Sequence, residues 1–317
     1  MTGVAASLEI IGSAFDSAIT SGNMVLATQI SNIMAPISIA MVNNMSAIVA
    51  TGNSELIGMS MAFIQGTFDA MKTVLTVENI TADMSSLGVF QEAVNNLASL
   101  TVAVANNLAA FAEAGYLDMA IGMIAEAAAV FVERNDAGEI VGGLLSIDAI
   151  KDIGQTVEGA EFIKESFEAM AEIVDAVLDN ISDFAGDNMD VAIEIVESAF
   201  QATGDVLSAF DNGDFGALAD TAVEIIMIAA IDAIKDMTLS IIANFGDLLE
   251  AGLGEWGLTM IAEAFNQLEA LLTFDADFSK INEGNQNIFI AAITALAEMT
   301  VALINIFGDI PKEMQER

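Results

Sequence analysis

The feature that most constrains this chain is a line of carboxylates that recurs every three or four residues through an apolar segment. The segment EGAEFIKESFEAMAEIVDAVLDNISDF spans residues 158–184. Its carboxylates, which we call the acidic seam, are Glu158, Glu161, Glu165, Glu168, Glu172, Asp175, Asp179 and Asp183. Side chains at this spacing share one face of an α-helix. The segment therefore predicts a helix with a narrow acidic seam and a wide apolar arc.

Glycines followed directly by Asn or Asp divide the chain into segments of this kind. Glycine accepts the left-handed backbone that ends a helix, and Asn or Asp caps the next helix by accepting its free amide hydrogens. The pairs are Gly22-Asn23, Gly52-Asn53, Gly186-Asp187, Gly204-Asp205, Gly213-Asp214, Gly246-Asp247, Gly284-Asn285 and Gly308-Asp309. Because the flanking segments have helical periodicity, each pair predicts the end of one helix and the start of another.

These signals predict an all-α protein, built as a layered array or bundle of long amphipathic helices. The expected helices lie near residues 4–20, 23–51, 53–77, 84–113, 116–132, 157–184, 187–210, 215–245, 255–273 and 285–307. Acidic and polar residues continue in phase with the seam as far as Asp211. We nevertheless expect a helix break at Gly186-Asp187, because the pair has the capping pattern.

One segment departs from the helical pattern. VFVERNDAGEIVGG, residues 130–143, has β-branched residues on both sides of Asn135–Gly138, which predicts a short hairpin or loop. A degraded calcium loop is the alternative, but its twelfth position must be a carboxylate and is Leu144. The hairpin is therefore favoured.

The same segment suggests a division of the chain. We predict a weakly charged helical half at 1–134, a connector or hairpin at 135–156 and an acidic helical half at 157–317. The first 80 residues contain few ionisable side chains, whereas carboxylates are frequent in the second half.

Charge and composition restrict the function. Asp and Glu total 46 against 8 Lys and Arg, for a formal net charge of −38. Because binding to nucleic acid needs clustered basic residues, we expect no nucleic-acid partner. The charge instead favours cations, basic partners or salt-rich surroundings. The chain has no cysteine and no histidine, and so lacks thiol chemistry and the commonest general base and metal ligand.

The sequence also predicts a protein that is not an enzyme and holds no cofactor. Carboxylate pairs can hydrolyse glycosides, but such sites surround the sugar with aromatic groups, and Tyr116 and Trp256 are the only Tyr and Trp. No phosphate loop or metal-ligand motif is found. Two clusters of oxygen ligands are weak candidates for binding a divalent cation: one has Asp211 and Asp214, and the other has Asp275 and Asp277. A solvated turn is favoured at both positions.

Two stretches raise the question of a membrane. Residues 17–54 are uncharged, but polar side chains interrupt them. Even if Pro36 and Ser38 are disregarded, the apolar run Ile33–Val42 is too short to span. Residues 288–307 are a better candidate, yet Glu298 at their centre would cost about 2.5–3.5 kcal/mol in lipid, and a buried helix is favoured. The N-terminus has no positive region, so it is not a conventional signal peptide. We expect a cytoplasmic protein or one exported without such a signal.

The wide apolar arcs lead to the functional prediction. The apolar share is 55%, more than one globule of this size needs for its core, so the excess is expected between copies. We predict a structural or interaction protein that associates with itself, while its acidic seams keep association in check. The alternatives are an amphipathic coat or integral protein at a membrane, or a helical binder of apolar ligands lined by Met and Phe. A coat would normally carry Lys and Arg on its polar face, where this chain has acids.

Overall fold

A computed structural model describes residues 2–135, 137–184, 186–273 and 283–309. This part of the chain is helical apart from one small hairpin, which confirms the all-α class. The α-helices are α1 Thr2–Thr20, α2 Met24–Asn43, α3 Met45–Ala50, α4 Ser54–Val74, α5 Val77–Ala82, α6 Leu87–Ala105, α7 Leu108–Ala114, α8 Leu117–Phe131, α9 Ile147–Ile153, α10 Val157–Asp179, α11 Met189–Asp211, α12 Asp220–Ala243, α13 Phe245–Glu250, α14 Gly254–Thr273 and α15 Glu283–Asp309. The strands are β1 Glu133–Arg134 and β2 Ile140–Gly142, and 3-10 turns lie at Met84–Ser86, Ile181–Asp183 and Gly186–Asn188.

In the described residues the long helices alternate between two layers along the chain. Helices α2, α6, α10, α12 and α15 lie side by side in the first layer, each packed on the next. Helices α1, α4, α8, α11 and α14 follow one another in the same way in the second layer. Each helix also packs on its chain neighbours in the other layer. The predicted layered array is confirmed, and its form is an open stack of helix pairs in which pairs mainly contact their neighbours.

The helices of the first layer run in the same direction. Equivalent positions on neighbouring helices are bonded: Asn180 Nδ2 on α10 donates to Asn106 Oδ1 at the end of α6 (2.8 Å). Between α12 and α15, Asn287 Nδ2 donates to Glu224 Oε1 near the two N-termini (2.6 Å). Because ends of the same kind meet, the second-layer helices must return the chain in the opposite direction.

The core lies between the two layers. One apolar cluster extends from Ala18 to Met299 without a division at the connector. A smaller cluster around Met34, Phe63 and Ala70 joins α1, α2 and α4. Phenylalanines are the largest fully buried side chains: Phe90, Phe111, Phe131, Phe162, Phe167, Phe184 and Phe200. The apolar composition thus fills a core that follows the array, and the division at 135–156 stays a prediction.

A recurrent asparagine ends the first-layer helices. Its side-chain amide donates to the carbonyl four residues earlier, which adds a hydrogen bond to an acceptor in the last turn of the helix. The bonds are Asn44 to Ala40 O (2.7 Å), Asn107 to Ala103 O (2.8 Å), Asn180 to Ala176 O (2.8 Å) and Asn244 to Ser240 O (3.1 Å). A short helix or 3-10 turn follows. The chain then reverses at a glycine with positive φ, such as Gly52 (64°) or Gly252 (80°).

These asparagines correct several predicted boundaries. The expected helices 23–51 and 84–113 are each broken into a long and a short helix at the asparagine. The expected helix 215–245 corresponds to α12, which begins at Asp220, ends before Asn244 and is followed by the short α13. The break at Gly186 is confirmed, with φ 67°. The short helices α5 and α9 were not predicted.

Gly204-Asp205 and Gly246-Asp247 lie within α11 and α13, so the prediction is wrong for these two pairs. Gly284-Asn285 and Gly308-Asp309 lie in the first and last turns of α15, next to residues outside the described part of the chain. Gly204 has a packing reason, because a Cβ there would lie 2.5 Å from Gln267 Nε2 on α14. Glycine at this position makes room for the end of that side chain.

The hairpin near 130–143 is confirmed. Strands β1 and β2 pair antiparallel. The Asn135 side chain accepts from the amides of Ala137 and Glu139, both at 3.0 Å, and so closes the turn. Arg134 fastens the hairpin to α11, since its Nη2 donates to Gln201 Oε1 at 2.6 Å.

Candidate interaction surfaces

The acidic seam lies on the outer face of α10, in the middle of the first layer. Its members are exposed except Glu165, which is half-buried, and the opposite side of α10 is buried in the core. Asp183 lies beyond the end of α10, in a 3-10 turn. The structure therefore places the predicted seam along one solvated face, with only its last member off the helix.

Two seam residues also join α10 to its neighbours in the layer. Asn95 Nδ2 on α6 donates to Glu165 Oε2 at 3.2 Å. Asn244 Nδ2, at the end of α12, donates to Asp179 Oδ1 at 2.9 Å. These bonds connect three adjacent helices across the outer face, so part of the seam sets helix register.

A groove of about 690 Å³ runs between α10 and α12. Its carboxylates are Glu168, Glu172 and Asp175 from the seam and Asp232 and Asp236 from α12. Lys164 Nζ lies 3.1 Å from Glu168 Oε1, and Lys235 Nζ lies 3.0 Å from Asp232 Oδ1. Five carboxylates and two ammonium groups leave the groove negatively charged.

Two groove carboxylates are shifted toward the protonated form. Burial raises the pKa of the Glu172 carboxyl, and the charges of Glu168 and Glu165 raise it further. Burial, together with the charges of Asp232 and Glu298, also raises the pKa of Asp236, although the neighbouring Lys235 opposes the shift. Protons are therefore taken up here before they reach ordinary surface carboxylates, and each proton relieves repulsion within the folded protein.

The structure does not assemble the candidate metal residues. Within the described residues, no group of three or more carboxylates is placed to hold a metal ion. Asp211 is the last residue of α11, and Asp214 is exposed in the turn that follows. Asp275 and Asp277 lie outside the described residues. Weak cation binding remains a prediction.

The first layer ends at α2, which differs from α10 because several of its polar side chains are buried and its outward face is uncharged. Four of its polar side chains are buried, and two of these bond to other helices: Ser38 Oγ is 2.7 Å from Thr67 Oγ1 on α4, and Asn32 Nδ2 donates to Val89 O on α6 at 3.1 Å. Its outward face is an uncharged stripe at helical spacing. The stripe consists of Leu26, Gln29, Ile33, Pro36 and Ala40, all exposed.

The other end of the layer is α15, which packs mainly on α12 and α14. Its outward stripe contains Ile290, Ile293, Val301 and Ile304, which are 55–64% exposed. Glu298, the one charged residue between 286 and 306, lies on the side toward α12, where its carboxylate is half exposed and Oε2 is 3.9 Å from Lys235 Nζ. The expectation that 288–307 form a buried helix is wrong, because only 22% of the apolar window is buried.

The two end helices also meet the criteria of length and hydropathy for crossing a membrane. They are Met24–Asn43 and Gln286–Ile306, and the bent pair Met84–Ala105 and Leu108–Ala114 would make a third span. The prediction that the uncharged N-terminal stretch offers only a ten-residue run is therefore wrong. Thr28, Ser31, Asn32 and Ser38 are buried, and α2 is continuous through Pro36.

Sequence reasoning missed these two end surfaces. The sequence signal was present, since exposed apolar residues recur every three or four positions in both helices. Polar residues in between concealed it, because only the structure shows that Asn32 and Ser38 of α2 face inward.

No protein-family model matches the chain, and no curated protein matches it. Among solved structures, one described as "DHF58 filament" is 12% identical, with a TM-score of 0.45 over 88% of this chain and 99% of its own. A "circular tandem repeat protein with novel repeat topology" is 12% identical, with a TM-score of 0.41 over 95% of this chain and 66% of its own. A third, from "computational design of self-assembling cyclic protein homooligomers", is 16% identical, with a TM-score of 0.36 over 90% and 98%.

Proposed function

We propose that this protein is a non-enzymatic structural component that associates with copies of itself through the apolar outer faces of its end helices. The observation that carries the proposal is the contrast along the first layer. The middle helix α10 presents carboxylates to solvent, whereas α2 and α15 present uncharged stripes. Repeat arrays that remain single normally end in helices with polar outer faces. Neither end of the first layer has a charged outer face of this kind.

The ends are large enough for a stable contact. A helix of 20 residues is about 30 Å long, and two packed helices are about 20 Å wide. One end of the array thus offers roughly 600 Å² per copy, or about 1,200 Å² in total, the lower limit for specific interfaces. Apolar burial contributes about 25 cal/mol per Å², against which the entropy of association must be set.

The net charge regulates association in this proposal. Each copy has a formal net charge of −38, so two copies repel each other as they approach. The range of this repulsion is the Debye length, which salt shortens from about 30 Å at 0.01 M to about 10 Å at 0.1 M. Divalent cations add neutralisation at carboxylate oxygens. Larger assemblies are expected as salt rises, as divalent cations are added, or as the pH falls toward the carboxylate range.

Membrane association is the second candidate, favoured by the length and hydropathy of α2 and α15. It requires both helices in lipid, although α6, α10 and α12 separate them in one layer and the outer face of α10 is acidic. No basic residue lies between residues 1 and 71 or between 281 and 311 to meet anionic lipid.

Sedimentation of the full chain without detergent tests the proposal. Mass is measured from 0.01 to 1 M NaCl at pH 7, and again as the pH falls toward about 4–5. We expect a monomer at low salt and assemblies of rising mass at high salt. A monomer under every condition would overturn self-association. Flotation with neutral and anionic vesicles under the same conditions would then identify a membrane-binding protein.

A further inference from the structure

We propose that copies join head to tail, with the outer face of α15 in one copy packed on the outer face of α2 in the next. This inference rests on the proposed self-association and names its two surfaces. The occupant of each surface is a second copy of this chain.

The first argument is the continuity of the first layer. Neighbouring helices in that layer run parallel, and each covers the side of the previous one. The pairs Glu224–Asn287 and Lys235–Glu298 repeat at equal spacing along α12 and α15, so α15 already lies in this register. A second copy whose α2 follows α15 would continue the same parallel packing. A symmetric contact of α15 with α15 would instead either pair the two helices antiparallel or place their second layers on opposite sides, and first-layer neighbours among the described residues show neither arrangement.

The second argument is that one contact covers both exposed stripes. Joining α15 to α15 leaves the stripe of α2 in water, and joining α2 to α2 leaves that of α15 exposed. A head-to-tail contact brings Ile293 and Val301 against the flatter stripe around Ile33 and leaves no apolar end inside an assembly. Neither stripe contains an ionisable group.

The third argument concerns charge in the second layer. Helix α14 flanks α15 and exposes Glu255, Glu263 and Glu269. A symmetric antiparallel contact at this end, with both second layers on the same side, would set two such helices against each other. The head-to-tail contact sets α14 against α1, whose exposed described carboxylate is Asp16. Repulsion between the two copies remains, so this contact depends on the salt concentration.

Such a contact is heterologous, so it grows into a filament or, if its rotation closes, a ring. It can be blocked at either end separately. The α2-blocked variant is Leu26→Glu with Ile33→Glu, and the α15-blocked variant is Ile293→Glu with Val301→Glu. All four side chains are exposed in the single chain, so both variants are expected to fold.

The test uses sedimentation at a salt concentration where the unchanged protein assembles. Each blocked variant alone should remain a monomer, because one of the two surfaces is missing. An equimolar mixture should form a heterodimer, doubling the mass and going no further, because the intact α15 of one variant meets the intact α2 of the other. The matched control, Val141→Glu with Leu249→Glu, adds equal charge at exposed sites elsewhere and should assemble like the unchanged protein.

Other outcomes overturn the inference in distinguishable ways. Dimers of the α2-blocked variant alone would show a symmetric α15 contact, and dimers of the α15-blocked variant alone would show a symmetric α2 contact. Full assembly of both variants would show that the copies associate through other surfaces, while self-association itself would stand. If the unchanged protein never assembles, the proposed function itself fails, and vesicle binding lost in both variants would assign the stripes to lipid.

Discussion

Helices α10 and α15 belong to the same layer but differ in what lies on either side of them. Helix α10 is covered by α6 and α12, and its narrow outer face carries the acidic seam. Helix α15 is covered on one side by α12, and isoleucine and valine occupy its outer face. Both sequences are predominantly apolar, so apolar content alone does not indicate which helix is covered. The position of the few polar side chains does.

The largest effect should come from truncating the core side of α10. Phe167 is 1% exposed, and Phe167→Ala is expected to lower the free energy of unfolding by about 3–5 kcal/mol. Ile293→Ala on the outer face of α15 should change it by less than about 0.5 kcal/mol in the monomer. Denaturant unfolding at low salt measures both. Equal losses would mean that the outer face of α15 is covered within a single chain.

A second prediction concerns association and tests the other side of α10. Changing Glu161, Glu165, Glu168 and Glu172 to glutamine should leave the helical circular dichroism intact and increase association. The gain is expected at low salt and should fade above about 0.1 M, because the seam acts over the Debye length. If the gain persists at all salt concentrations, the seam is itself part of the contact between copies. No gain at low salt would remove it as a restraint.

The asparagine at the end of α10 should have a smaller effect. Asn180→Ala removes two bonds at 2.8 Å, to Asn106 Oδ1 and Ala176 O, and should lower the free energy of unfolding by about 1–2 kcal/mol. Asn305→Ala, on the exposed face of α15, is the control and should change it by less than about 0.5 kcal/mol. Similar values for both would show that the recurrent asparagines do not stabilise the layer.

The smallest effect is the pH dependence of Glu172. Its pKa is raised in the folded protein, so folding is favoured at low pH and this contribution is lost as the pH rises through the raised pKa. Glu172→Gln should therefore stabilise the monomer at pH 7, by less than about 1 kcal/mol since the group is partly solvated. The gain should disappear near pH 4, and denaturant unfolding at both pH values measures it.

Glu158→Gln offers a control of opposite sign. Glu158 lies in the first turn of α10, where a negative charge favours the helix, so its loss should slightly destabilise the protein at pH 7. If both substitutions stabilise equally, net charge alone explains the change, and crowding in the groove has no part in it.

The sequence predicts the parts of this fold that depend on local periodicity. The spacing of the seam is sufficient to predict α10, and the Asn135–Gly138 turn is sufficient to predict the hairpin. Both elements depend on residues that are close together in the sequence. The asparagine breaks were missed, since Asn within a helix is ambiguous until its side chain is seen to bond Ala40 or Ala176. The burial of polar side chains on α2 was missed because the partners of Ser38 and Asn32 are distant in sequence. The position of the seam followed from its sequence, but the two end surfaces required knowledge of helix order.

The parallel first layer has an electrical consequence. Peptide dipoles of neighbouring parallel helices add, giving an accumulation of partial negative charge along the edge where α6, α10 and α12 end. The second-layer helices run the other way, so their positive ends lie along that same edge and offset it. Each added helix pair, and each added copy, therefore brings almost no net backbone dipole. The array can lengthen without a growing field from its own backbone, and side-chain charge remains the electrostatic limit on its length.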